Sequence, residues 1–137
     1  MFNSFQQREL LKKEREKANN ISSELQNLYE RETELIEKIE NIEYTTQNVS
    51  NLIVKTSFLI TDTNKLLEKL QLEHGATPTT QYIIANNLAQ RLVSLKACLE
   101  NALSNINQSN KLESLAELQE FAQNMRDLEK LRNEENL

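Results

Sequence analysis

A single glycine (Gly75), a single proline (Pro78), a single cysteine (Cys98), a single histidine (His74) and no tryptophan stand among 137 residues. With one Gly and one Pro there is almost no material for turns, so the chain must be built from a few long elements. One cysteine forbids an internal disulfide and fits a reducing compartment. Cys98 shares a helical face with Ile84, Leu88, Leu95 and Ala102, which reads as a small buried hydrophobe and not a reactive thiol. The lone histidine removes most catalytic options, since a Ser-His-Asp or Cys-His arrangement would have to use His74, far along the chain from Cys98. Di-iron bundles need Glu-x-x-His twice, and Gln71 stands three residues before His74. Zinc lacks its Cys and His ligands, and no glycine-rich loop is present to cradle phosphate. No catalytic, cofactor-binding or metal-ligating residue is therefore assigned, and the chain reads as not an enzyme, with no cofactor and no small-molecule substrate.

Long apolar runs are also missing. None is long enough to span a bilayer, and the first ten residues, MFNSFQQREL, lack the apolar core of a secretory signal, so an intracellular, cytoplasmic protein is expected. Aromatics make up only 5% against 27% charged residues, which suits solvated helices with a thin apolar seam better than a deep globular core. The net charge of −5 argues against nucleic acid as a partner. Arg8, Lys12, Lys13, Arg15 and Lys17 do cluster, but Glu9, Glu14 and Glu16 are interleaved, as on a solvated helix face. Glu30, Glu34 and Glu37 read in the same way, as an exposed flank and not a cation site.

What the chain does contain is a seam. Across residues 21–70, positions alternately four and three apart are Ile21, Leu25, Leu28, Glu32, Leu35, Ile39, Ile42, Thr46, Val49, Ile53, Thr56, Ile60, Thr63, Leu67 and Leu70. Eleven of the fifteen are aliphatic, so one stripe of a helix faces a partner along its length. From Val49 onward Leu52, Leu59 and Leu66 add a third row and widen the face. Glu32, Thr46, Thr56 and Thr63 are polar seam residues, of the kind that fix register and partner choice. No stretch alternates with the period of a strand, and the chain reads as all-α.

The expected architecture is an elongated antiparallel helical hairpin or coiled coil in one domain, 1–137. Helix 1 runs over about 5–73, with Ser4 and Gln7 as a capping box, followed by a loop at 74–79 and helix 2 over about 80–107. Gly75 suits the end of the first helix, and Pro78 the first position of the second behind a Thr77 cap. The asparagine-rich stretch 105–111 marks either a stutter or a break before a further helical segment at about 111–134, where Asn110 and Glu113 could cap a new start. If the hairpin turns at 76–77, facing residues have numbers adding to about 153. Thr45–Asn48 then lie level with Asn105–Gln108, as a hinge between a wide head and a narrow acidic shaft. Residues before about 18, including Phe2, Phe5, Leu10 and Leu11, are left for another chain.

The central layers Thr46 and Val49 differ from the Gln or Arg layer of SNARE-type fusion helices, and 75–79 leaves no room for the strands of a prefoldin-type hairpin. The expected role is a non-catalytic structural subunit of a hetero-oligomeric coiled-coil assembly, such as a tethering, trafficking or cytoskeleton-attachment complex. Other helical subunits would bind on Val49, Leu52, Ile53, Leu59, Ile60, Leu66, Leu67, Leu88, Leu92, Leu95 and Leu99, with no membrane insertion. The alternative is a small helical-hairpin chaperone or export adaptor that folds alone and grips a client.

Overall fold

The computed structural model describes residues 4–74 and 78–135, without the side chains of 72–74 and 132–135. Four helices follow one another: α1 (Ser4–Glu40), α2 (Thr46–His74), α3 (Thr80–Asn105) and α4 (Lys111–Glu135), with no strand among the described residues. The chain is all-α, as its periodicity indicates, and its third helical segment is real and separate.

The single rod over 5–73 is replaced by two helices. The chain leaves α1 at Asn41, whose amide side chain donates to Glu37 O at 2.9 Å, and restarts behind Thr45. Thr45 Oγ1 accepts from Asn48 N at 3.2 Å, the bond an N-cap threonine makes to the third helical amide. Asn48 Nδ2 also reaches back to Glu43 O at 2.8 Å. These local bonds satisfy amides and carbonyls that a continuous helix would pair internally, which is how short polar side chains end helices. The second stretch, 105–111, is likewise a break, with Gln108 N bonding Asn105 O and Lys111 N bonding Gln108 O ahead of α4.

Both breaks are chain reversals at one end of a four-helix bundle. They meet where Tyr44 Oη donates to Ala102 O at 2.6 Å and the Lys111 ammonium sits 5.7 Å from the Tyr44 ring. The two polar stretches do lie at one level, but as turns and not as a hinge with a shaft beyond it. Consecutive helices are antiparallel and α4 closes the ring against α1, giving the up-down-up-down arrangement that short loops impose. At the opposite end Gln71 Nε2 donates to Tyr82 Oη at 2.9 Å, matching the facing register read from the sequence for α2 and α3. The cap of α3 is Thr79, which accepts from Tyr82 N at 3.1 Å, so Pro78 precedes the cap. Gly75 and Thr77 lie outside the described residues.

The core runs along the ring's axis. α1 contributes Ile21, Leu25, Leu28, Leu35, Ile36 and Ile39, so the seam reading holds there position by position. In α2 the widening row Leu52, Leu59 and Leu66 is buried together with the seam residues Val49, Thr56, Thr63 and Leu70, while the seam residues Ile53, Ile60 and Leu67 lie half-buried at the edge. α3 adds Leu88, Leu92, Leu95 and Leu99. α4 brings Leu118, Ala122 and Met125 into the core, whereas Leu112 and Leu128 face solvent.

Candidate functional site

The expected partner-binding set is where the structure departs most from the sequence reading. Val49, Leu52, Leu59, Leu66, Leu88, Leu92, Leu95 and Leu99 are all buried within this one chain, and only Ile53, Ile60 and Leu67 keep partial exposure. The reversal at 41–45 swings α1 back over α2, and α4 covers α3, so the wide faces are sealed by helices of the same molecule. Periodicity reports that a face needs covering and is silent on which chain covers it.

The polar seam residues are likewise answered internally. Glu32, 2% exposed, receives Arg91 of α3 through Nε at 3.2 Å and Nη2 at 3.4 Å, a fork that crosses from one helix to the diagonal one. Thr56 and Thr63 donate to Leu52 O and Leu59 O, each at 2.7 Å, and so satisfy their hydroxyls within α2. Thr46 is exposed as the first residue of α2. Around Glu32, Thr33 Oγ1 donates to Glu129 at 2.7 Å, and the Arg126 guanidinium binds Glu40, with its Nε at 2.9 Å. The Glu40 carboxylate holds the Arg126 guanidinium above its ordinary range. These pairs tie α1 to α3 and α4 in one register.

What remains uncovered is the outer part of α1. The α1–α2 ion pairs Glu24–Lys69 and Arg31–Asp62 join residues whose numbers add to 93, which places His74, the last residue of α2, level with residue 19. α1 begins fifteen residues earlier, at Ser4, an overhang of about 22 Å. Every residue from 4 to 20 is exposed, including Phe5 at 69%, Leu10 and Leu11. Phe5, Leu10 and Leu11 are among the residues that the sequence leaves for another chain; Phe2, the fourth of that set, lies outside the described residues. Five basic and three acidic side chains make residues 1–20 net +2, leaving −7 to the rest.

Cys98 is half-buried; burial, and then the nearby Glu117 carboxylate, push its thiol above the usual range. Burial raises the Tyr44 phenol in the same sense. The side chain of His74 lies outside the described residues. Among the described residues no group of three or more His, Cys, Asp or Glu is placed to hold a metal ion, and no helix is long and apolar enough to cross a membrane. No protein-family model, no curated protein and no solved structure matches this chain.

Proposed function

We propose that the chain is a non-catalytic interaction subunit of a larger protein assembly, in which a self-supporting four-helix body presents the overhanging half of α1 to a helix of another protein. One observation carries this reading: residues 4–20 form more than four turns of helix, all exposed, with Phe5, Leu10 and Leu11 on the surface. A lone helix of that length is marginal in water, and a partner helix supplies the packing that sustains it. Its excess of basic side chains favours a partner with an acidic flank.

The test is a deletion of residues 1–19 alongside the triple substitution of Phe5, Leu10 and Leu11 to serine. Both should leave the thermal midpoint of the body within about 2 °C, because residues 4–19 are exposed, and both should remove the proteins that co-purify from cells. Retention of those proteins after deletion would refute the reading. A second reading, a small adaptor that grips a client transiently, is favoured by the sealing of the wide faces inside one chain, which lets the protein fold without a partner. Complex lifetime separates the two: a stable stoichiometric complex supports the subunit, and rapid exchange supports the adaptor.

A further inference from the structure

One flank of α2 meets α1, through Asp62 and Lys69. Ile60 and Leu67 each stand two residues earlier, about 200° around the helix, and with Ile53 they form a row at intervals of seven on the other flank, beside α3. On α3, Tyr82, Ala89, Lys96 and Leu103 repeat the interval on the side where Tyr82 meets Gln71. That bond fixes the facing register of α2 and α3, in which Val93 comes level with Ile60. Together these residues line an outer groove, with Ile53, Ile60, Leu67 and Leu103 half-buried and Val93 55% exposed. Its charges are few. Positions 50, 53, 57, 60, 64, 67 and 71 of α2 are neutral, and Lys96 and Glu100 of α3 pair with each other at 3.8 Å.

We propose that this α2–α3 groove is a self-association surface, covered by the same groove of a second copy of the chain turned end for end. The spacing is its own complement. Ile53 and Leu67 stand seven residues to either side of Ile60, so a two-fold axis through Ile60 and Val93 sets each of these on its own counterpart, and Ile53 on Leu67 of the second copy. The same axis brings Lys96 level with Gln90, Glu100 with Asn86 and the rim residue Glu68 with Leu52 of the second copy, so no like charges are opposed although each copy carries −5. From Ser50 to Gln71 the groove runs about 32 Å, and two helices about 10 Å wide bury roughly 600 Å² on each copy, enough to clear the total of about 1,000 Å² that a specific interface needs. The groove belongs to the body and leaves the outer turns of α1 free, so either surface can fail without the other.

The full chain should sediment at twice its monomer mass at about 100 µM, an affinity within reach of an interface of this size. Val93→Lys, at an exposed position, should keep the helical circular dichroism and weaken the dimer about a hundredfold, because the axis sets the two new ammonium groups against each other. Deletion of residues 1–19 should leave the dimer intact. In a Cys98→Ala chain, Ile60→Cys should cross-link to itself on oxidation, whereas Ile53→Cys should cross-link only when mixed with Leu67→Cys. A monomer at that concentration, a dimer unmoved by Val93→Lys or lost with residues 1–19, or Ile53→Cys joined to itself would each overturn the proposal.

Discussion

Glu32 is the residue on which the bundle's register turns. A carboxylate this deep costs several kcal/mol unless it is paired and hydrogen-bonded, and Arg91 supplies both from the diagonal helix. Removing one partner strands the other. Glu32→Ala or Arg91→Ala should therefore each cost about 2 kcal/mol or more in urea unfolding, while Glu32→Leu combined with Arg91→Met should restore most of the loss. Single losses no larger than that of the double variant would show that the pair contributes nothing specific. Cys98 carries a pH signature. Its raised thiol value means that the folded chain holds its proton longer than the unfolded one. The associated stability is present in full below the ordinary thiol range and lost as pH rises through the higher folded value. Between about pH 8 and about pH 10 the wild type should lose midpoint temperature relative to Cys98→Val, a trend read by calorimetry across that range.

At the scale of elements the decisive feature is the reversal at 41–45, and its strongest local device is the Thr45 cap. Thr45→Ala should destabilise by about 1 kcal/mol, seen as a drop of roughly 2–4 °C in the melting midpoint. Thr46→Ala, one residue further into the helix and equally exposed, should change little. Equal effects at the two positions would mean that the cap does not set the start of α2. The sequence conceals this turn for a definite reason: Ile39, Ile42, Thr46 and Val49 keep the alternating spacing of the seam straight through it. Apolar period and capping chemistry disagree over six residues, and the short-range hydrogen bonds prevail. Asn41, Thr45 and Asn48 are the signal that could have revealed it. At 105–111 no such period competes, and the run of asparagines is enough to mark an interruption.

For the whole molecule, the consequence is that its apolar faces close on one another. Leu92 is fully buried within the chain, so Leu92→Asp should abolish the cooperative melt of the isolated protein, whereas Leu10→Asp should leave it unchanged. A melt that survived Leu92→Asp would contradict the ring. The all-α class and the buried phase of α1 are legible from residue spacing, and the α2–α3 register from the glycine-proline corner; the outer turns of α1 are expected to be exposed from that same hairpin register, whereas in the structure they overhang because α1 pairs with α2 in a different one. The identity of the covering helices is not legible, since Leu88 or Leu99 carries the same apolar signal whether its neighbour comes from the same chain or another.

α1 runs without a joint from Ser4 into the layer where Glu32 is clamped. Its outer and inner portions are thus one stiff spar. Whatever grasps the protruding turns inherits a fixed bearing relative to the body, and a bending load applied at Phe5 is delivered as torque to the Glu32–Arg91 clasp some forty ångströms away.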